Sequence, residues 1–271
     1  MPSSPDDRPQ PPPVVLRALT PPGASIGVRE LLDGLDLDAQ TGSGGSQRPY
    51  TLLNMVSTAD GRATLSGVSG QIGDDADKQL FHGLRTVVDA VMVGAGTLRA
   101  ERYGRLVRNE QGRSERRRRG LADEPLACVV SGRLALDEGV PLLADPDSRV
   151  AVLTASQASL PAGCRARIEY VRCARDGRLN LPGALAELAS RFGVRTLLCE
   201  GGPHLNANLL AAGLVDELFL SLAPTLAGGD PASESLRILS GADLDPPVAM
   251  RLVSAYEHRS QLLLRYGIGS S

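Results

Sequence analysis

Two stretches of this 271-residue chain decide its fold: Val91-Met92-Val93-Gly94-Ala95-Gly96-Thr97 and Leu197-Leu198-Cys199-Glu200-Gly201-Gly202-Pro203. Each begins with apolar residues typical of a buried strand, turns at glycines, and is followed by helical periodicity. Glycine lets the backbone approach a ligand closely, and the first turn of a helix offers free N–H groups to an anion. Two such units predict a parallel α/β sheet with a binding site at the carboxyl ends of its strands.

The chemistry at these turns has two interpretations. A pyrophosphate held between them would make a dinucleotide site, although the first turn has Arg99 where the common fingerprint has its third glycine. A single strand–glycine–helix turn is more often a structural necessity, but a pair of them, with Thr97 and Glu200, favours a functional role. The turn Ser131-Gly132-Arg133 supplies a hydroxyl and a guanidinium for the 2′-phosphate of NADP, or is an ordinary surface turn.

The alternation of strand and helix signals continues on both sides of the glycine turns. It predicts an α/β fold with a mostly parallel mixed sheet, helices on both faces and a C-terminal antiparallel hairpin. The predicted strands cover residues 50–56, 88–93, 126–130, 150–154, 168–173, 196–199, 217–222, 250–257 and 261–266. The predicted helices cover residues 74–87, 182–192 and 203–212.

The first 48 residues are expected to be a Pro/Gly-rich tail and linker, and residues 49–271 a single domain. Residues 1–13 carry six prolines and are expected to be disordered. A short strand at 14–19 and one or two helical turns within 28–37 precede a Gly/Ser linker at 41–46. The polar insertion 105–123 contains the run Arg116–Arg119, which is predicted to be a solvated, mobile loop rather than a phosphate clamp.

Composition excludes several classes of protein. A formal net charge of −2 and a pI near 6.0 argue against a nucleic-acid or anionic-membrane binder. Aromatic residues make up 3% of the chain and Trp is absent, so stacking platforms for bases are lacking. The four cysteines form no CxxC pair and the three histidines are isolated, so no metal site is expected. A cytoplasmic enzyme is the default expectation.

Several motifs in register resemble a known family. They are Thr58-Ala59-Asp60-Gly61-Arg62, Ser66-Gly67-Val68-Ser69-Gly70, Leu84-Arg85, Asp89-Ala90, the two glycine turns, Leu214-Val215-Asp216-Glu217-Leu218 and Ala223-Pro224. Over residues 49–267 the chain resembles the reductase domain of bacterial riboflavin biosynthesis, the C-terminal half of the bifunctional deaminase–reductase. The zinc-deaminase signature, HxE followed by PCxxC, is absent from the sequence, which excludes deamination.

The resemblance implies a dihydrofolate-reductase-like fold, a homodimer, and NADPH as cofactor. The expected substrate is a phosphorylated pyrimidine, 5-amino-6-(5-phosphoribosylamino)uracil. Its ribose, opened as an imine, would accept hydride at C1′ and become a ribitylamino chain. The cofactor would carry the hydride, and the protein would supply orientation and electrostatics.

The resemblance and the residue patterns together predict the site residues. Glu200 is expected between nicotinamide and substrate, and Asp77 is either a proton donor or an acid that favours the dipole of its helix. Asp60 is more often a turn residue than a catalyst. The expected substrate-binding residues are Arg62, Ser69, Arg85 and Arg108. The expected cofactor-binding residues are Gln71, Gly94, Gly96, Thr97, Glu101, Ser131, Arg133, Gly201, Gly202, Pro203, His204 and Leu205.

Departures from the family pattern keep two alternatives open. Thr58, Ala59 and Arg62 stand where the family often has Ser, Leu and Lys, and arginine keeps the charge without a transferable proton. The alternatives are a reductase of dihydrofolate or another pterin or pyrimidine on the same fold, and a non-catalytic NADP-binding protein.

Overall fold

In the part of the chain that the structure describes, an eleven-stranded mixed sheet runs through the molecule. The computed structural model describes residues 14–20, 22–42, 47–65, 67–228, 236–241 and 243–269. The strands are β1 (Val15–Thr20), β2 (Pro22–Gly27), β3 (Tyr50–Thr58), β4 (Ala90–Gly94), β5 (Leu126–Val130), β6 (Arg149–Thr154), β7 (Arg167–Arg172), β8 (Ala174–Arg175), β9 (Arg178–Leu179), β10 (Thr196–Cys199), β11 (Glu217–Ala223), β12 (Met250–His258) and β13 (Gln261–Ile268). The helices are α1 (Val28–Asp33), α2 (Leu37–Gly42), α3 (Asp75–Leu84), α4 (Ala95–Ala100), α5 (Glu110–Arg118), α6 (Pro141–Ala144), α7 (Leu181–Phe192) and α8 (Pro203–Ala211).

The strands of the sheet lie in the order β2-β1-β12-β13-β11-β3-β10-β4-β5-β6-β7. Its parallel part runs from β11 to β7 in this order, and the C-terminal hairpin of β12 and β13 is antiparallel to it. Strand β10 lies between β3 and β4, with Leu198 beside Leu52 on one side and Val91 on the other. The two glycine turns therefore leave neighbouring strands at the same edge of the sheet. The predicted α/β fold, mixed sheet and terminal hairpin are confirmed.

Alternating apolar residues give the sheet two cores. On β4, Val91 and Val93 pack with α1, α3 and α4, whereas Ala90 and Met92 pack with α7 and α8. This strict alternation buries both faces of the sheet, as expected for strands that are covered by helices on each side. None of the helices in the described ranges has the length and apolar character of a membrane span.

Local sequence signals fix the ends of the helices that border the site. The Asp74 carboxylate caps α3 by accepting hydrogen bonds from the N–H groups of Ala76 and Asp77. Asn180 caps α7, which ends at Gly193 with a φ of 67°. A left-handed residue at that position is typical of glycine after a helix.

The N-terminal segment is more ordered than a tail and linker. Strand β1 pairs with β12 in antiparallel register, with Arg17 opposite Glu257, and β2 extends the sheet further. Leu16 and Val28 are buried in the core that also holds α3. The described part of residues 14–42 is thus integrated into the domain. The predictions for residues 1–13 and for most of the Gly/Ser linker lie outside the described residues.

The arginine-rich insertion is a helix, so the prediction of a mobile loop is wrong. Helix α5 is capped by Asn109, whose side chain accepts the N–H of Gly112. Arg116 is only 1% exposed, and its guanidinium donates to the carbonyl oxygens of Arg85, Val88 and Ala122 at 2.6–2.7 Å. Burial lowers the pKa of Arg116 to about 10, which leaves it charged at neutral pH. Two of these carbonyl acceptors, on Arg85 and Val88, are 31 and 28 positions away in sequence, so they hold this helix against the rest of the domain.

Replacing Arg116 with Met is expected to destabilise the protein by about 3 kcal/mol, because the buried carbonyls lose their donor. The free energy of unfolding in urea measures this effect. Arg118→Met is the matched control, since Arg118 is exposed and its ion pairs with Glu115 and Asp33 contribute about 0–1 kcal/mol. Equal losses in the two variants would contradict a structural role for Arg116.

Candidate active site

The two glycine turns are joined by backbone hydrogen bonds. The N–H of Gly94 donates to the carbonyl of Gly201 at 2.9 Å, and the N–H of Glu200 donates to the carbonyl of Met92 at 2.9 Å. Gly201 and Gly202 have φ values of 97° and 104°, a region that side chains with a Cβ rarely adopt. A Cβ on Gly202 would lie 3.5 Å from both the Cα of Gly94 and the Oγ1 of Thr97. The turns therefore form a shallow backbone cradle that requires glycine.

Helix α8 starts directly at this cradle. Its N-cap is Gly202, which offers no side chain to the free N–H groups, and Pro203 occupies the first helical turn. These N–H groups and the positive end of the helix dipole are suited to an anion. The cradle and α8 together have the features of a pyrophosphate site.

A cleft of about 1940 Å³ opens at the carboxyl edge of the parallel strands. Pockets for single small ligands commonly have about 300–1,000 Å³, so this cleft has room for two ligands. Most of the predicted site residues line it: Ser69, Asp77, Arg85, Gly94, Gly96, Thr97, Glu101, Arg108, Ser131, Arg133, Glu200, Gly202, Pro203, His204 and Leu205. Three predicted residues, Arg62, Gln71 and Gly201, are not part of its lining; Gly201 contributes instead through its backbone bond to Gly94.

A buried ion pair lies at the centre of the cleft. The Nε and Nη2 atoms of Arg85 donate to the two carboxylate oxygens of Glu200 at 2.6 and 2.7 Å. The side chains are 4% and 1% exposed, respectively. The Tyr103 hydroxyl donates to Oε2 of Glu200 at 2.7 Å, and the remaining Nη1 of Arg85 donates to the carbonyl of Leu106 at 3.1 Å. Every nitrogen of this guanidinium thus has a protein acceptor.

This arrangement holds the Glu200 carboxylate in one orientation. The guanidinium of Arg85 also lies 4.2 Å from the ring centre of Phe81 and 5.2 Å from that of Tyr103. Burial and the negative charge of Glu200 raise the pKa of Tyr103 well above its usual value, so its proton stays on the phenol. Removing one partner of such a buried pair leaves an uncompensated charge and is strongly destabilising.

Asp77 and Ser69 also line the cleft. Burial raises the pKa of Asp77, and the nearby carboxylate of Asp74 raises it further. A Cβ at Gly73 would lie 1.9 Å from Oδ2 of Asp77, so this carboxylate needs a glycine beside it. The N–H and Oγ of Ser69 both donate to Oε1 of Glu101 at 2.8 Å. This bond ties the glycine-rich loop after β3 to the end of α4.

Asp60, the acidic residue in the turn after β3, has a structural role. The Thr58 hydroxyl donates to Asp60 at 2.5 Å, and Asp60 accepts the N–H of Gly228 at 2.6 Å. These hydrogen bonds lower the pKa of Asp60 to about 2. The interpretation of Asp60 as a turn residue therefore agrees with its contacts.

The sequence analysis missed several residues that line the cleft, among them Tyr103, Asn54 and Arg237. Tyr103 lies just before the segment interpreted as a polar insertion, and Asn54 lies inside an apolar strand. Asn54 lines the cleft, and its Oδ1 is buried without a hydrogen-bond partner among the described residues. Arg237 lies on the segment 236–241, which is fixed to Thr64 and Asn206 by hydrogen bonds. Only Asn54, a polar residue amid apolar neighbours in the run 52–56, gave a sequence signal that could have been noticed.

The sequence of this chain is similar to those of known proteins of riboflavin biosynthesis. A 2,5-diamino-6-ribosylamino-4(3H)-pyrimidinone 5′-phosphate reductase from Methanothermobacter thermautotrophicus is 29% identical over 227 residues, covering 82% of this chain and 99% of that protein. The riboflavin biosynthesis protein RibD of Actinobacillus pleuropneumoniae is 28% identical, and the match covers 82% of this chain and 57% of that protein.

A solved structure shares the fold at low sequence identity. A pyrimidine reductase-like protein from Corynebacterium diphtheriae superimposes with a TM-score of 0.71 and 23% identity, covering 90% of this chain and 99% of that chain. The model of the RibD C-terminal domain matches residues 49–264. Because this match spans most of the sequence, the chain belongs to the RibD C-terminal domain family.

Proposed function

We propose that this protein is an NADPH-dependent reductase of the riboflavin-biosynthesis type. It would reduce the ribosylamino group of 5-amino-6-(5-phosphoribosylamino)uracil to a ribitylamino group. One observation carries the proposal: the glycine cradle, the Arg85–Glu200 pair and arginines that form no ion pair with any described residue open into one cleft, which is large enough for a dinucleotide and a substrate. Membership of a family whose relatives are named as reductases supports the same conclusion.

The residues present fit the cofactor. Gly202 leaves free the volume that a Cβ would fill beside Gly94 and Thr97, and the start of α8 offers N–H groups to a pyrophosphate. When bound, a reduced nicotinamide supplies a hydride. Thr97 and Glu101 line the cleft beyond the cradle and would hold the nicotinamide end.

Glu200 and its partners orient the reacting part of the substrate. Because Arg85 and Tyr103 fix the carboxylate, Glu200 can accept hydrogen bonds from ribose hydroxyls without reorganising. Arg85 is committed to Glu200 and acts here as a positioning residue. Arg108 is exposed, lines the cleft and forms no ion pair among the described residues, so it is the cation that would hold the substrate phosphate.

Asp77 would supply the proton that the reaction consumes. Hydride addition at C1′ of the imine leaves a negative nitrogen that must be protonated. The raised pKa of Asp77, caused by burial, keeps a larger fraction of the acid protonated near neutral pH. Asn54, with its unpaired Oδ1, would accept a hydrogen bond from the pyrimidine.

A second substrate has specific support. The Methanothermobacter relative and another from Archaeoglobus fulgidus are both named as reductases of 2,5-diamino-6-ribosylamino-4(3H)-pyrimidinone 5′-phosphate. That pyrimidine carries the same phosphorylated ribosylamino group, so the mechanism proposed above applies to it without change.

We further propose that the protein acts in the cytoplasm as a homodimer. Met250 and Leu252 project from β12 with 49% and 41% of their surfaces exposed, and Val15 on the adjoining β1 is 57% exposed. Exposed apolar side chains on paired strands are suited to contact with a second copy. The concentration dependence of the sedimentation coefficient measures the oligomeric state.

The main test measures the loss of NADPH absorbance with three substrates: the aminouracil phosphate, the diaminopyrimidinone phosphate and dihydrofolate. Turnover is expected with a phosphorylated pyrimidine. Glu200→Gln is expected to lower kcat by about a hundredfold, since it removes the charge fixed at the reacting centre. Glu187→Gln, at an exposed ion pair with Arg191 on α7, is the control and is expected to keep full activity.

Other results of these assays would support a different function for the protein. Turnover of dihydrofolate alone would indicate a folate reductase on the same fold. Tight binding of NADPH without turnover of any pyrimidine would indicate a non-catalytic NADP-binding protein. Unchanged turnover in both Glu200→Gln and Arg85→Ala would contradict the role assigned to the buried pair.

Gly202→Ala is expected to weaken NADPH binding by about tenfold or more, because the new methyl group occupies the cradle. Nucleotide fluorescence measures the dissociation constant. Gly193→Ala is the matched control: Gly193 also has a positive φ, 67°, but lies at the end of α7 with open space around it. Both variants are expected to lose about 1 kcal/mol of stability through strain. Equal affinities in the two variants would argue against the cradle.

The pH dependence tests Asp77 as the proton donor. A carboxylic acid donates only while protonated, so kcat is expected to fall as the pH rises through the raised pKa of Asp77. In Asp77→Asn this limb of the pH–rate profile should vanish and kcat should be low at all pH values. Asp75→Asn, on the exposed side of the same first turn, is expected to keep the profile of the unmodified protein. An unchanged profile in Asp77→Asn would exclude Asp77 as the donor.

A further inference from the structure

A two-stranded hairpin forms part of the wall of the cleft. Strands β8 and β9 are joined by Asp176 and Gly177, whose φ values are 51° and 72°. Positive φ at both central residues defines the type I′ turn, which Asp-Gly favours. The hairpin is closed at its base by the N–H of Asn180, which donates to the carbonyl of Cys173 at 2.9 Å. It is therefore a rigid projection that begins just after β7.

The hairpin presents two arginines directly opposite each other. Arg175 and Arg178 are register partners in the antiparallel pair, so their side chains leave the same face of the ribbon. Like charges in this position repel and destabilise a hairpin. Within the described ranges neither guanidinium forms an ion pair, although both line the cleft. An arrangement that is unfavourable by itself becomes favourable once an anion lies between the charges.

A third arginine lies in the same region. Strands β5, β6 and β7 are neighbours in the sheet, so the loop after β5 and the hairpin after β7 leave the same edge. The loop after β5 carries Arg133, which lines the cleft and likewise has no ion pair among the described residues. The first residues of α7, Leu181 and Pro182, complete the wall between them.

The charge of this region matches a phosphate monoester. Arg133, Arg175 and Arg178 contribute three positive charges, and Asp176 at the hairpin tip contributes one negative charge, so the net charge is +2. A phosphate monoester carries about −1.5 to −2 charges at neutral pH. Arginine, with its planar fork of donors, is the side chain best suited to bind such a group.

We propose that Arg175 and Arg178 of the hairpin, together with Arg133, bind the 2′-phosphate on the adenosine end of the cofactor and so select NADPH over NADH. The inference rests on the proposed use of a nicotinamide dinucleotide. The cradle of Gly202 would then hold the pyrophosphate in the middle, with the adenosine extending toward the hairpin and the nicotinamide toward Glu200. The hairpin would act only on the phosphate that distinguishes the two cofactors.

The test uses nucleotide fragments, so its readout does not depend on turnover. Calorimetry would compare the affinity of the protein for 2′,5′-ADP, which has the 2′-phosphate, with its affinity for 5′-AMP, which differs only in lacking it. The unmodified protein is expected to prefer 2′,5′-ADP. Arg175→Ala and Arg178→Ala should each lower that affinity by about tenfold, as expected for loss of a hydrogen bond to a charged group. The affinity for 5′-AMP should change by less than about twofold.

Arg149→Ala is the matched control, because Arg149 is an exposed arginine at the opposite end of β6 and forms no ion pair within the described part of the chain. It is expected to leave both affinities unchanged, and Arg178→Lys should restore part of the preference because it retains the charge. A preference that survives in the double variant Arg175→Ala/Arg178→Ala would overturn the role of the hairpin alone. An unmodified protein without any preference would overturn both this inference and the use of NADPH. Loss of the preference in a protein that turns over no pyrimidine would support the hairpin site while contradicting the proposed reaction.

Discussion

The buried pair of Arg85 and Glu200 joins parts of the chain that are otherwise independent. Arg85 follows α3 on one face of the sheet, and Glu200 follows β10 in its centre. Tyr103 reaches the same carboxylate from the segment after α4. Two charges removed from water are stabilised only when geometry and additional hydrogen bonds compensate for desolvation. The positions of α3, α4 and β10 around the cleft are therefore coupled, and a shift in one element weakens the bonds made by the others.

This coupling extends to the arginine-rich helix α5. Arg116 donates to the backbone carbonyl of Arg85, so an element that lies outside the cleft supports the residue that orients Glu200. Two kinds of guanidinium group are therefore important for the site. Arg85 and Arg116 are buried and act within the protein, whereas Arg108, Arg133 and the arginines of the hairpin face the cleft without acidic partners among the described residues. The net charge of the whole chain is close to zero, but the cleft itself is strongly basic.

The sequence predicted those parts of the structure that depend on local signals. The alternation of apolar residues identified the strands of the parallel sheet, and the glycines at 201 and 202 marked the second turn because few other residues adopt their backbone angles. The burial of Arg116 could not be predicted, since it depends on carbonyl groups about 30 residues away in sequence. The same holds for Tyr103, whose partner Glu200 is 97 positions away. Pairing of β1 with β12 joins residues separated by 240 positions, beyond any local pattern.

The pairing of β1 with β12 determines how far the chain can be shortened at its N-terminal side. The segment shared with the family begins at residue 49, but β1 supplies the hydrogen-bonding neighbour on the open side of β12. In a protein trimmed to the family segment, the nine-residue strand β12 would still pair with β13, but the N–H and C=O groups on its other edge would lose their partners in β1. Unprotected edges of this kind invite pairing with other chains. Residues before the shared segment thus protect the sheet from aggregation, and a soluble fragment for further work should begin ahead of β1.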